Sequence, residues 1–453
     1  MPIVRKFFFY LFVIIYVVLC PLLLLYATGY ILDTGKRQLT QTGLIWLSTK
    51  PSGADVFLKK SRYIYKTPVG IKELYPGNYK IMLKLKGYTP WTHDALIAPG
   101  KAVAFEKILL IPKKWRMEYL SDDSYSELIP APSVDGIILA KSGQLGNFYI
   151  FTPDNKEMRP ISEPESAYGE LPVNSILLQD DSPSAVLSCG YFWDRRYLFI
   201  EDLKAAKPVI KDISAFFRER PSHIIWDVHA YNKFFAVYKD AVDRIDAESR
   251  VVSRGYLKNI KGFGLRHGSV YFINAGSNLF KKYGQKNEPV FSNRYFDKQF
   301  FNGSDFYRVK VLRDNMFLFI SDNGRLMASQ PPYHLECSGV LGVDFSERGD
   351  SLLYWTKDSA NIFDFSRSPQ KIYGSGKNIR QCFWVYQDSH LLCNDNDSVY
   401  LIEPQPQGSS HVDFVTGVKK NSSVYYSDET GFVYYLDEQS AKLKAIEVAP
   451  NGI

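Results

Sequence analysis

The chain is poor in the residues that build metal and redox centres. It has five cysteines and seven histidines in 453 residues. No two cysteines form a C-x-x-C pair, which argues against structural zinc. There is no H-E-x-x-H, no G-x-S-x-G, no G-x-G-x-x-G and no phosphate-binding G-x-x-x-x-G-K, so the common hydrolase and nucleotide-binding signatures are missing. A propeller or barrel can still assemble a site from separated loops, so an enzyme is not excluded. Charged residues make up only 23% of the chain and hydrophobic residues 45%, which excludes global disorder. The length is too great for one ordinary core and predicts two to four domains.

Aromatic residues are abundant, with 31 Tyr and 30 Phe. They suit a pleated, half-buried surface, so the composition leans towards β structure. The charge is uneven. Gly43 to Trp115 holds 13 lysines and arginines against four acidic residues, whereas residues 116–453 hold 38 against 43. A basic segment therefore precedes a weakly acidic body. Such a segment is attracted to anionic lipid or other polyanions within about a Debye length; a Lys-rich solvated strand face explains it more simply. Nucleic acid is not an expected partner.

From Phe7 to Leu32 no residue is charged. At about 1.5 Å per residue this run spans a hydrocarbon core as a helix with room to tilt. It is too long for a signal-peptide core and no small-x-small cleavage site follows it. Val17-Val18-Leu19 before Cys20 lacks the small residue of a lipoprotein site. Tyr10, Tyr16, Tyr26 and Tyr30 include positions suited to the membrane interfaces, and a membrane helix tolerates Pro21. Arg5 and Lys6 predict a cytoplasmic N-terminus (residues 1–6), a transmembrane helix over 7–32 and an extracytoplasmic remainder, although Lys36 and Arg37 lie close to the far end. Residues 33–42 read as a linker.

Residues 43–115 read as short strands. Leu44–Leu47, Ala54–Leu58, Tyr79–Lys86 and Val103–Leu110 carry the strand pattern, the third with a clean period of two. Between them stand Lys50-Pro51-Ser52-Gly53, Thr67-Pro68-Val69-Gly70, Tyr75-Pro76-Gly77-Asn78 and Lys86-Gly87-Tyr88, turns in which Pro fixes φ and Gly permits φ above zero. Hairpins of this kind predict a small β-sandwich. The order Pro51-Ser52-Gly53-Ala54, Thr67-Pro68, Leu74-Tyr75-Pro76-Gly77-Asn78-Tyr79, Lys86-Gly87-Tyr88 and Ile108-Leu109-Leu110 resembles the PEGA domain. Ser52 departs from the Glu usual in that family, at a turn position. The resemblance covers about a sixth of the chain and implies a surface-associated binding or spacer module of bacteria or archaea; it does not imply catalysis.

Residues 118–450 repeat an apolar strand, a tight polar turn and a second apolar strand. Examples are Val270–Ile273 with Asn278–Phe280, Phe317–Ile320 with Arg325–Met327, Leu352–Trp355 with Asn361–Asp364, and Leu391–Cys393 with Val399–Ile402. The recurrence, every ~40 residues, marks a β-propeller of seven or eight blades. It resembles WD40-like and TolB-like propellers in architecture only, since no regular Gly-His or Trp-Asp pair recurs. Two β-sandwiches are the rival architecture.

No catalytic, cofactor-binding or metal residue can be assigned. Asp395-Asn396-Asp397 and Ser321-Asp322-Asn323-Gly324 look like pieces of calcium loops, yet lack the spaced ligand set, and hairpin turns use the same residues. His223 and His229, with Trp226 and Asp227 between them, could form a site, as could the aromatic and charged stretch Trp193-Asp194-Arg195-Arg196, whose arginines suit a carboxylate or phosphate. Cys382 and Cys393 face each other across a hairpin centred near Gln387-Asp388. A disulfide would need an extracytoplasmic body; two buried thiols are the expectation taken.

The functional expectation is a non-catalytic, membrane-anchored envelope protein that displays its propeller to a protein or glycan partner. The alternative is a propeller lyase or hydrolase acting on envelope polymers, which convergent carboxylates, His or Tyr at the channel mouth would favour. A sensor is disfavoured, because the short N-terminus carries no output domain.

Overall fold

The computed structural model describes residues 2–33, 38–178, 182–227, 232–239, 241–266, 268–284, 286–290, 298–301, 305–313, 316–330, 333–404 and 410–449. The chain divides into two compact units, one reaching Arg116 and the other spanning Met117–Glu447.

The first unit opens with a helix, Pro2–Ala27, that carries Pro21 inside it. Phe7–Ala27 is long and apolar enough to cross a membrane, and none of it is buried within the protein. The helix stops five residues before the uncharged run ends. Thr28 bonds back to Leu24 through both its N–H (2.9 Å) and its hydroxyl (2.8 Å). Tyr30–Asp33 then forms a strand paired antiparallel with Gln38–Gln41. The apolar run thus overstates the helix, and the expected linker over 33–42 contains a strand.

The sandwich has two sheets. Val69–Leu74, Gly43–Lys50 and Ala102–Leu109 make one; Ser61–Lys66, Asp55–Leu58, Gly77–Lys84 and Trp91–Ile97 make the other. Asp55–Leu58 with Ser61–Lys66 and Gly77–Lys84 with Trp91–Ile97 form antiparallel pairs of consecutive strands as expected, but the first strand of the module does not. Gly43–Lys50 runs parallel to Ala102–Leu109, the last strand of the module. Its other neighbour, Val69–Leu74, is not the next strand in the chain either, so both of its partners are remote in sequence. Alternate residues of both sheets point inwards, and Ile45, Leu47, Val56, Ile81, Leu83 and Ile97 are at most 1% exposed. The turns Pro51–Ala54 and Thr67-Pro68 form one structure. The Thr67 hydroxyl meets that of Thr49 at 2.6 Å and accepts the Ala54 N–H at 3.0 Å, while Gly53, at φ 87°, donates to the Thr67 carbonyl. Ala54 is wholly buried, so a larger side chain has no space there.

The second unit contains, among the described residues, eight four-stranded antiparallel units in sequence. Blades 1 to 7 occupy residues 127–160, 173–212, 223–258, 260–289, 307–337, 340–374 and 379–417. Blade 8 takes Tyr425–Ser427, Phe432–Leu436 and Lys442–Glu447, and its fourth strand is Met117–Ser124 from the start of the unit. We label the strands of each blade A to D from the channel outwards. The expectation of seven or eight blades resolves to eight. Blades 4 and 5 join in one sheet because their A strands pair parallel at Gly262↔Tyr307 and Phe263↔Arg308. Gly264 permits this approach, since a Cβ there would run into the Val309 carbonyl.

Among the described residues each hydrophobic cluster of this unit belongs to two neighbouring blades. Ile138 and Leu187 share one between blades 1 and 2, Phe199 and Phe234 one between 2 and 3, and Leu353 and Leu391 one between 6 and 7. Leu139 of blade 1 and Leu436 of blade 8 share another, which returns the series to its start. Blade 7 holds the segment leading into blade 8 through the Asn394 amide on the Ser422 carbonyl (2.8 Å).

The two-thiol expectation is overturned. Cys382 and Cys393 form a disulfide, because they sit directly opposite in adjacent antiparallel strands with Cα atoms 4.2 Å apart. That separation is the close pair of an antiparallel ladder.

Candidate functional site

The A strands of blades 7, 8 and 1 are Ile379–Val385, Tyr425–Ser427 and Glu127–Ala131, and each contributes to one cleft. Where they turn into their B strands they enclose this cleft, of about 350 Å³. Its floor and walls are Pro130, Pro132, Phe383, Tyr425 and Tyr426, and its rim carries Asp135, Asp428 and Glu429. Each feature follows from local turn chemistry. Pro132 starts a short 3-10 turn that Asp135 ends at φ 49°, while Asp428 opens the Asp428–Gly431 turn, closed by the Gly431 N–H on the Ser427 carbonyl at 2.8 Å.

Electrostatics at this mouth are one-sided. Asp154 and Asp135 push the exposed Glu429 carboxyl above its ordinary range. Burial, and then the negative charge of Glu347, raises Asp428, with Asp388 adding to it. On the channel wall burial also raises Asp344, although its oxygens accept the Trp384 N–H (3.0 Å) and the Phe345 N–H (2.9 Å). Asp388 accepts the Glu347 N–H at 2.9 Å and so ties the loops of blades 6 and 7. Lys204 offsets part of this charge by pairing with Asp135 at 3.0 Å. Burial drives the Tyr425 and Tyr426 phenols far upward, which keeps both neutral. Neutral aromatics beside carboxylates that raise one another's pKa make a site that gains from an incoming cation.

The candidates from sequence fall elsewhere. Asp395-Asn396-Asp397 is the B–C turn of blade 7. Asp395 is 2% exposed and accepts the Ser375 hydroxyl at 2.8 Å, while Asp397 takes Lys377 at 2.6 Å. Ser321-Asp322-Asn323-Gly324 is also a B–C turn, with the Ser321 hydroxyl accepting the Arg325 N–H. Among the described residues no group of three His, Cys, Asp or Glu could hold a metal ion. His229 lies outside the described residues. Trp226 and Asp227 are buried, and Asp227 faces Arg244 at 3.4 Å.

His223 instead reaches Asp322 of blade 5 through Nε2 (3.0 Å) and Ser222 through Nδ1 (3.2 Å), with its ring stacked on Phe306. The trio looks like a nucleophile relay. The Ser222 hydroxyl, however, donates to the Val237 carbonyl (3.0 Å), so its proton is not held by the imidazole. Trp193 is at the tip of a hairpin, and Arg196 pairs with Asp194 (3.8 Å) and Asp212 (3.6 Å). The cleft itself was missed. Ser427–Gly431 reads only as a turn, and nothing in the sequence says that Pro130 and Phe383 lie beside it.

Residues 42–110 match the family model of the PEGA domain. The sandwich is therefore a PEGA domain, as its turn motifs imply. No curated protein matches the chain. Among solved structures it is similar to BamB from Moraxella catarrhalis, at 12% identity and TM-score 0.45, covering 75% of this chain and 99% of that one. It is similar to the Dos1 propeller at 10% identity and TM-score 0.45, covering 75% and 95%. The β-propeller domain of Cps50 (Swd1) from Myceliophteria thermophila gives 10% identity and TM-score 0.42, covering 74% and 100%. The propeller architecture itself stands on the strand order and shared cores above.

Proposed function

We propose that the chain is a membrane-anchored scaffold of the bacterial cell envelope, with a cytoplasmic N-terminus, whose propeller holds a protein partner at the mouth of blades 7, 8 and 1. The cleft carries this reading. Three successive blades supply aromatic and proline walls under an acidic rim, the chemistry of a site for an extended segment bearing Lys or Arg. Tyr and Phe provide apolar contact, and the carboxylates supply register and charge. The apolar helix, whose membrane-length window is unburied among the described residues, supports the anchor. Arg5 and Lys6 support its orientation, and a disulfide in the propeller suits an oxidising compartment.

The test is capture from native envelope by the detergent-solubilised full chain. Wild type should retain one saturable protein partner, and the double substitution Asp428→Asn with Glu429→Gln should release it. Equal capture by both would refute the cleft as the docking site.

A second reading has its own observation. Asp428 with its raised carboxyl, beside Glu347 and Asp388, is the kind of convergent carboxylate set that a polymer-cleaving enzyme needs. A glycan captured by wild type and recovered shortened, but left intact by the Asp428→Asn chain, would establish that reading in place of the first.

A further inference from the structure

We propose that the B–C hairpin of blade 2 is a platform for a neutral polysaccharide. This surface is separate from the cleft. The strands Ala185–Tyr191 and Asp194–Ile200 meet at a two-residue turn, Phe192-Trp193. Tyr191 is 57% exposed, Phe192 85% and Trp193 83%. Three adjacent exposed aromatics are rare on a soluble surface, and a contiguous apolar patch of this kind marks a binding site. The Tyr191 and Trp193 rings are nearly parallel, with centroids 5.5 Å apart and planes 9° apart. Tyr191 buttresses one face of the indole and leaves the other to solvent.

The hairpin is held in place from below. Gly190, at φ 95°, donates to the Pro172 carbonyl at 2.8 Å, and its own carbonyl accepts the Asn174 amide at 2.8 Å. A Cβ on Gly190 would strike the Asp194 carbonyl, so only glycine lets the strands close so tightly. A rigid aromatic surface loses little entropy on binding.

The rim selects the ligand. Arg196, behind the aromatic tip, is held between Asp194 (3.8 Å) and Asp212 (3.6 Å), two carboxylates to one guanidinium, so this border carries no basic excess. An anionic membrane would call for a basic rim. A pyranose ring instead presents an apolar C–H face to the indole and hydroxyls to neighbouring charged groups. The tip also lies at the end of the strands opposite Met117, where the chain enters the propeller. It is therefore at the opposite end of the blades from the acidic cleft.

The test uses the full chain in nanodiscs and reads retention on immobilised chito-oligosaccharides and cello-oligosaccharides. A second arm carries brominated phosphatidylglycerol in the nanodisc and reads quenching of Trp193, taken as the difference between wild type and Trp193→Ala. We expect retention on at least one glycan, weakened about tenfold by Trp193→Ala and partly kept by Trp193→Phe. Both substitutions sit on an exposed turn and leave the propeller folded, which its melting temperature checks. No retention on either glycan, or equal retention by Trp193→Ala, overturns the proposal. Strong bromolipid quenching of Trp193 without glycan retention assigns the tip to lipid and overturns it as well.

Discussion

The PEGA domain and the propeller solve the same problem, burial of short β-strands, in opposite ways. The PEGA domain closes two sheets on one cluster, with Ile45, Val56, Ile81 and Ile108 all meeting in it. The propeller divides its core into clusters that neighbouring blades share, and among the described residues no cluster is common to all blades. The small module is therefore all-or-none, while damage in the large one is spread over many interfaces. Their charges differ too. The PEGA domain is strongly basic, and the propeller has gathered carboxylates at one mouth. The two surfaces therefore carry charge of opposite sign.

The largest effect that would break this contrast comes from equal damage to the two cores. Ile81→Ala and Leu353→Ala each remove a fully buried side chain and should cost about 2–5 kcal/mol. In a domain of 60–100 residues each kcal/mol shifts Tm by about 4–8 °C, and in larger domains by about 2–4 °C or less. Calorimetry should show the PEGA transition falling far more than the propeller transition. Equal shifts would mean that the two units melt together.

A smaller effect tests the PEGA turns. Thr67→Val leaves the buried Ala54 N–H without its acceptor, while the Thr49 hydroxyl keeps the Pro51 carbonyl, a cost of about 1–3 kcal/mol. Hydrogen exchange should rise at Gly53–Ala54 and leave the propeller unchanged.

Charge gives the next contrast. Binding of the full chain to phosphatidylglycerol nanoparticles through the PEGA domain should weaken as salt rises, because attraction across more than about 10 Å is screened at 0.1 M. Replacing Lys80, Lys84 and Lys86 with Gln should weaken it at low salt. Salt-independent association would remove the polyanion from the account.

The smallest effect concerns Asp428. Its carboxyl is raised in the folded state by burial and by Glu347. A raised carboxyl favours the folded state below its unfolded pKa of about 3.9, and that gain is lost as pH rises through the folded value. Asp428→Asn should therefore raise the propeller Tm slightly at neutral pH, with the difference fading in acid, while partner binding weakens. A variant less stable at neutral pH would show that the carboxylate is structural.

What was legible in the sequence follows the same division. The repeated motif is chiefly strands B and C of each blade, such as Leu352–Thr356 with Ser359–Phe363. These central strands are covered on both faces, so they read as continuous apolar runs. Strands A and D are partly exposed and patterned weakly, and blade 8 borrows its D strand from more than 300 residues away; no local pattern reports that. In the PEGA domain the turns were legible because Pro and Gly fix their geometry, whereas the parallel pairing of its first and last strands was not. The cleft escaped for a related reason. Phe383 and Tyr425 come from consecutive blades, but Pro130 joins them only because the ring closes. The aromatic tip was visible as Trp193-Asp194-Arg195-Arg196, but its meaning depended on the exposure of Tyr191 and Phe192.

The central claim is that the mouth of blades 7, 8 and 1 is where the partner docks. The most direct measurement is photo-crosslinking in living cells from a reactive residue placed at Pro132, at the cleft, and separately at Lys357, on a B–C turn at the other end of the strands. The account predicts one defined protein adduct from position 132 that the Asp428→Asn, Glu429→Gln background abolishes, and none of that adduct from position 357. The same adduct from position 357, or no adduct from 132, would contradict it.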